Sequence, residues 1–210
     1  MLDNYATDIK IGKIDRGNFA ANVQFLEENG LLKEGSRILE IGCGAGTLTD
    51  YLTLKGFDAI GFDTSKILIK VNYSRNSNAT TFIGSGDKIP FINSSFDLVI
   101  SFDVFEHIPD THEHLSGVRR VLKPYGYYLF QTPNKLTNAS FEIIKNRSLT
   151  KHKTYHCSLQ IFWLVRKLLN SHGFEFKFVK IPVMNDFMEQ KIKKGFGFTG
   201  ICLLRIMNPD

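Results

Sequence analysis

The 210-residue chain has few cysteines, no long apolar run and no internal repeat. Cys43, Cys157 and Cys202 are too scattered for a zinc-ligand pattern and too few for a disulfide framework. No stretch approaches the roughly 18 apolar residues of a membrane span. The start, Met1-Leu2-Asp3-Asn4-Tyr5, has neither the basic opening nor the apolar centre of a secretory leader. These absences predict a cytoplasmic protein whose stability rests on burial rather than on crosslinks or metal.

What is there is ordinary for a globular chain: 43% hydrophobic and 22% charged residues. The length suits one core, so residues 1–210 read as a single domain. The 18 phenylalanines fall within strand and helix patterns and read as core and pocket lining. Charge is unevenly placed. Residues 134–194 hold 12 basic and 4 acidic side chains, a net +8, which leaves −3 for the rest of a chain whose total is +5. That basic third suits an anionic substrate, a nucleic acid or an anionic surface, or is simply a solvated face.

Periodicity lays out alternating helices and strands. Phe19, Val23, Phe25 and Leu26 mark a helix ending near Gly30 within an N-terminal segment, 1–36. Strands are predicted at Ile38–Ile41, Phe57–Phe62, Thr80–Ile83, Phe96–Phe102 and Tyr127–Thr132. Helices are predicted after the glycines of 42–46, after the Thr64-Ser65 cap, and through Leu115, Val118, Val121 and Leu122. After Pro133 the pattern weakens. Residues 134–157 are polar and basic, and a connection of that length is usually functional or disordered. A helix at Leu159–Leu169, with Phe162 and Trp163 as core residues, precedes strands at Phe174–Ile181 and Thr199–Met207. Between those strands lies an unpatterned loop, 182–198. Strands alternating with helices at this spacing predict a parallel sheet covered on both faces.

The most informative stretch is Ile38-Leu-Glu-Ile-Gly-Cys-Gly-Ala-Gly-Thr47, an apolar strand, a glycine turn and the start of a helix. This is the opening of a doubly wound nucleotide-binding sheet. A dinucleotide fingerprint wants a third glycine three residues after the second, and position 47 is Thr, which argues against a nicotinamide dehydrogenase. Glu40 stands at the ligand end of the strand, where a carboxylate suits a ligand bearing positive charge. Asp63 closes the second strand, 23 residues later, placed to accept both ribose hydroxyls or to cap the next helix beside Thr64.

The segment resembles the first motif of class I S-adenosylmethionine (SAM)-dependent methyltransferases, and the resemblance runs with specific motifs from Arg37 to Pro133. It implies a doubly wound, Rossmann-like, seven-stranded α/β sheet, mostly parallel with an antiparallel last strand and helices on both faces. It implies SAM as cofactor, held by Glu40, Gly42, Cys43, Gly44, Gly46, Asp63, Thr64, Ser85, Gly86, Asp87 and Phe102. The loop Gly84-Ser-Gly-Asp-Lys-Ile-Pro-Phe91 is similar to the family segment Gly-Asp-Ala-x-x-Leu-Pro-Phe, whose Asp contacts the adenine amino group. Aligning Pro90-Phe91 puts Ser85 at that position, with Asp87 two residues on. Asp97, ahead of the fourth strand's apolar run, lies away from the ligand end and reads as a structural partner.

Asp103-Val-Phe-Glu-His107 and Gln131-Thr-Pro-Asn134 resemble methyltransferases of the ubiquinone-biosynthesis type. There an acidic-x-x-Glu-His cluster lies beside the substrate and Thr-Pro-Asn opens a substrate-covering insertion. By that resemblance Asp103, Glu106 and His107 act on a substrate hydroxyl or hold a divalent cation, with His107 as catalytic base, since imidazole titrates near neutrality. The alternative role for Glu-His is packing against the cofactor. His152 and His156 fall in the insertion. The implied reaction is methyl transfer to a small-molecule acceptor, at oxygen and with an anionic acceptor among the candidates. An RNA or protein methyltransferase using the basic third, and a SAM-binding protein without turnover, are the competing expectations.

Overall fold

The computed structural model describes residues 19–75, 77–133, 158, 161–180 and 199–206. The insertion with His152 and His156, the N-terminal residues before Phe19, Cys157 and the 182–198 loop lie outside the described residues.

The chain starts with α1 (Phe19–Glu28), whose Ala21, Asn22, Phe25 and Leu26 are buried, and leaves the helix through Gly30 at φ +61°. β1 (Arg37–Ile41) is buried from Ile38 onward on both sides. α2 (Thr47–Leu54), β2 (Asp58–Asp63) and α3 (Lys66–Ser74) follow. Ser65 caps α3 by accepting the Leu68 N–H at 3.4 Å. β3 (Thr80–Ile83) and β4 (Phe96–Phe102) lead to a 3-10 turn (Phe105–His107) and α4 (Thr111–Val121). Asp110 caps α4 by accepting the N–H groups of His112 and Glu113, both at 3.0 Å. β5 (Leu122–Pro133), α5 (Phe162–Ser171), β6 (Phe174–Lys180) and β7 (Thr199–Ile206) complete the described chain.

The fold is α/β and Rossmann-like, around a mostly parallel sheet of order β3-β2-β1-β4-β5-β7-β6. β1 pairs in parallel with β2 and β4, β2 with β3, and β4 with β5. β7 runs antiparallel to β5 and β6. Two cores flank the sheet. Leu39, Ile41, Val99, Tyr128 and Phe130 face α4 and α5, while Ile38, Leu98, Ile100 and Leu129 face α1 and α2. The alternation along each strand sorts these residues between the layers. A continuous apolar run such as Leu98–Ile100 is what a sheet covered on both faces requires.

Three readings need correction. β5 starts at Leu122, not Tyr127: the chain passes from α4 into the strand with Tyr125 at φ +61°, and pairing with β4 slips between Phe96 and Leu98. Asp97, at that irregularity, accepts the Arg37 N–H at 2.8 Å and Lys123 Nζ at 2.7 Å, so its role is structural as expected. Trp163 is not a core residue; it is 66% exposed. The buried stripe of α5 is Val165, Leu168 and Leu169, and residue 163 lies about 200° around the helix from 165. α5 itself starts at Phe162 and runs to Ser171.

Candidate active site

At the carboxyl ends of β1, β2, β3 and β4 a cavity of about 420 Å³ opens. It is lined by Ile41 and Gly42 at the end of β1, by Phe62 to Ser65 and Leu68 around the start of α3, by Gly84 to Gly86 after β3, and by Asp103, Val104 and His107 to Pro109 after β4. Ligands of open parallel sheets bind at this end.

Two features favour glycine at position 42. Its φ is +74°, and a Cβ there would stand 2.3 Å from Val104 Cγ2. The loop therefore closes against the β4 side without a side chain between them. Asp63 holds the loop from the other side. Its Oδ2 accepts the Gly44 N–H at 2.9 Å and its Oδ1 the Ser65 N–H at 2.8 Å. A carboxylate has about four acceptor positions, so each oxygen keeps a lone pair for a ligand in the cavity that Asp63 lines. Loop-building and ligand-binding are thus compatible uses of one side chain.

Of the expected cofactor residues, Gly42, Asp63, Thr64, Ser85 and Gly86 line the cavity, as does His107. Glu40, Cys43, Gly44, Gly46, Asp87 and Phe102 are not part of the lining. Glu40 shares a strand face with Ile38 and turns to α2, where its Oε2 accepts Thr49 Oγ1 at 2.5 Å. Burial pushes its carboxyl up to about 7; the Thr49 bonds pull it down, and the Asp63 charge adds to the rise. Cys43 is buried against Gly61, and burial with the Glu40 and Asp63 charges raises its thiol far above the ordinary range. Gly44 spends its N–H on Asp63, and a Cβ on Gly46 would sit 2.7 Å from Asn72 Oδ1. Phe102 packs with Leu98 and Ile100 against the α1–α2 layer. Asp87 sits behind Ser85 and accepts its hydroxyl hydrogen.

On the β4 side, Asp103 adopts φ +55°, with its N–H on the Gln131 carbonyl at 3.0 Å. Asp is one of the few residues that tolerate this region, and such conformations gather at functional sites. The His107 side chain is 28% exposed, with Nε2 4.0 Å from Oε1 of the buried Glu106. Glu106 Oε2 accepts Thr132 Oγ1 at 3.1 Å. Among the described residues no three His, Cys, Asp or Glu side chains stand together as a metal-ligating group, Asp103, Glu106 and His107 included. Ser158 returns to this turn, donating its N–H to the Glu106 carbonyl at 2.9 Å and its hydroxyl to the Ile108 carbonyl. Of the apolar walls, Phe62 falls to the phenylalanines expected as core and pocket lining, whereas Leu68, Val104 and Ile108 were not anticipated. The signal for them was positional: Val104 lies just beyond the end of β4, Leu68 on the first turn of α3 and Ile108 directly after the 3-10 turn.

Known proteins resemble this chain in sequence and in fold. A family model described as a methyltransferase domain matches residues 13–176. An Aliivibrio fischeri ubiquinone biosynthesis O-methyltransferase is 25% identical over 185 residues, 82% of this chain and 69% of that protein. A probable S-adenosylmethionine-dependent methyltransferase of Mycolicibacterium smegmatis is 32% identical over 103 residues, 49% of this chain and only 40% of that protein. Among solved structures, an S-adenosylmethionine-dependent methyltransferase of Mesorhizobium loti superposes with a TM-score of 0.67 at 18% identity, covering 88% of this chain and 97% of its own. A chain from a complex with the Haloferax volcanii Trm112 methyltransferase activator gives 0.68 at 18% identity, covering 97% and 96%.

The chain belongs to the methyltransferase-domain family. Proteins it is similar to, by sequence in one case and by fold in the other, are described as S-adenosylmethionine-dependent methyltransferases.

Proposed function

We propose that residues 1–210 act as one methyltransferase domain that moves a methyl group to the oxygen of a small hydroxylated acceptor. The observation that carries this reading is the placement of His107 and Asp63 on one cavity wall system, with the buried Glu106 carboxylate 4.0 Å from the imidazole. The relatives matching over this region include O-methyltransferases of ubiquinone biosynthesis.

The cavity fits the cofactor. Asp63 retains acceptor positions for two ribose hydroxyls, and the bare Gly42 backbone gives close approach on the β1 side. SAM supplies, when bound, an electrophilic methyl on a sulfonium. This chain's residues then have three tasks. Asp63 and the 84–86 loop hold and orient the cofactor. The apolar walls Phe62, Leu68, Val104 and Ile108 exclude water. His107 takes the hydroxyl proton as the acceptor oxygen becomes the nucleophile, and the adjacent Glu106 stabilises the imidazolium that results.

The test is calorimetric titration of SAM and its demethylated product, S-adenosylhomocysteine, followed by transfer assays on a panel of small phenols and catechols. Micromolar binding of both, lost in Asp63→Ala, together with transfer that His107→Ala slows at least ~100-fold, supports the reading. Transfer to RNA or to a protein but to no small acceptor would replace it with the reading that uses the basic 134–194 region. Binding without turnover on any acceptor would leave a ligand-sensing protein.

A further inference from the structure

Behind the cavity wall runs a buried polar chain that the proposed reaction does not use. His114 on α4 is fully buried, as are Tyr128 on β5 and Ser101 on β4. His114 Nδ1 lies 2.7 Å from the Gly86 carbonyl, its Nε2 lies 2.7 Å from the Tyr128 hydroxyl, and that hydroxyl lies 2.7 Å from Ser101 Oγ. The Gly86 carbonyl can only accept, so Nδ1 carries the ring hydrogen. Nε2 then accepts from Tyr128, and the Tyr128 oxygen accepts from Ser101. Each group is satisfied and each is neutral. The ring is further clamped edge-on by Phe105 and Tyr128, with centroids 5.8 and 5.7 Å away. A half-satisfied buried network would be costly, and a complete one rigidifies what it touches.

What this one touches is the cavity. Gly86 lines it, wedged so closely that a Cβ would lie 3.0 Å from Ile108 Cδ1 and 3.4 Å from Ile41 Cγ2. Ser85 lines it too, with its hydroxyl hydrogen committed to Asp87. The Ser85 oxygen is therefore offered to the ligand as an acceptor. A planar trans peptide places the Asp87 N–H opposite to the Gly86 carbonyl, so fixing that carbonyl also fixes where Asp87 begins.

Strand order says which part of the cofactor meets this loop. β2, with Asp63, stands between β3 and β1, and His107 lies beyond β1 on the β4 side. With the ribose on Asp63, the sulfonium must face His107. The base is left to the β3 side, against Ser85 and Gly86. This step rests on the ribose-binding role of Asp63 and the proton-accepting role of His107 proposed above.

We propose that His114 is a positioning residue for base recognition: by holding the Gly86 carbonyl from the core, it sets the Ser85 oxygen and its Asp87 partner to receive the amino group of adenine. The test compares S-adenosylhomocysteine with S-inosylhomocysteine, which carries an oxygen in place of that amino group. Dissociation constants for both are measured by calorimetry on the wild type, His114→Leu, His114→Gln and Tyr128→Phe. The wild type is expected to prefer the adenine form at least ~10-fold, about the worth of one hydrogen bond and the penalty of its loss. His114→Leu should cut that preference to about 2-fold, and Tyr128→Phe should cut it part-way. His114→Gln, whose amide can still donate to Gly86, should restore much of it. If His114→Leu and Tyr128→Phe weaken both ligands equally, the network is only structural and the proposal falls. Tyr128→Phe, which deletes a single oxygen, decides the matter if His114→Leu does not fold. A wild type that binds both ligands equally well overturns the base assignment, and one that binds neither overturns the cofactor-site reading beneath it.

Discussion

Two side chains at the heart of the sheet respond to pH in opposite directions. Burial pushes His114 down to about 4, against the Gly86 bond and the Asp87 charge, which raise it. The folded state thus refuses a proton that the unfolded chain takes up below about 6.5, and stability is lost as pH falls from there towards 4. Glu40 is raised to about 7, so its folded form keeps a proton that the unfolded chain releases above about 4.5. Its stabilisation is lost as pH rises from 4.5 through 7. Each shift is worth on the order of 3 kcal/mol, and between pH 4.5 and 6.5 they offset one another. Urea unfolding of the wild type should therefore be nearly flat with pH across that window. Glu40→Gln should gain stability with rising pH, and His114→Gln should lose it. Parallel slopes in the two variants would contradict this assignment. Gly42 gives a second residue-level expectation. Gly42→Ala should cost about 2–4 kcal/mol, from a positive φ and the Val104 clash, and Val104→Ala should recover only the clash part in a double-mutant cycle. Gly42, Asp63 and Ser85 were legible in the sequence because strand ends and glycines are. Glu40 and Phe102 stand outside the cavity lining because their direction follows strand alternation: Glu40 goes with Ile38, and Phe102 with Leu98 and Ile100. His114 was missed although its spacing from Leu115, Val118 and Val121 puts it on the apolar face of α4.

Among the elements, strands and early helices were readable to within a few residues because each carries its own punctuation. Gly30 and Gly56 end α1 and α2, and Ser65 opens α3. The start of β5 was not readable. Pro124 suggests a break, yet Leu122 already pairs with Phe96, and the strand bends past Tyr125 before settling into register at Tyr127. That geometry is a tertiary outcome of Asp97 bridging the Arg37 N–H and Lys123. The face of α5 was misread for a similar reason. Its residues are apolar most of the way round, and only packing on β6 and the α4 layer chooses Val165, Leu168 and Leu169. Leu169→Ala should cost about 2–5 kcal/mol in thermal or urea unfolding, whereas Trp163→Ser should stay within about 0.5 kcal/mol. Comparable costs at both positions would mean that Trp163 is covered.

For the molecule as a whole, the fold was legible and the acceptor was not. The glycine turn, the acidic end of β2 and the strand spacing point to the cavity, whose lining among the described residues runs from Ile41 to Pro109. Structures at 18% identity superpose over most of the chain, as expected if those few positions and the apolar pattern suffice. The acceptor depends on surroundings that no such rule describes. Ionic strength separates the main possibilities. A polyanionic substrate held by the basic third would lose affinity by ~10³–10⁵ between 50 and 200 mM salt, through counterion release. A small acceptor should show a KM changing less than about 3-fold over the same range, which initial-rate measurements in graded salt would establish.

The buried ring of His114 also makes the protein its own spectrometer. Its Nδ1 hydrogen points at the Gly86 carbonyl with no route to solvent that does not open the core. Imidazole N–H protons in water normally exchange too quickly to be seen, but this one can leave only when α4 lifts from the sheet. It should give a persistent downfield NMR line. Gly86 is shared between that line and the cavity, so the resonance should move whenever the base site fills, reporting occupancy without a label, an acceptor or a turnover.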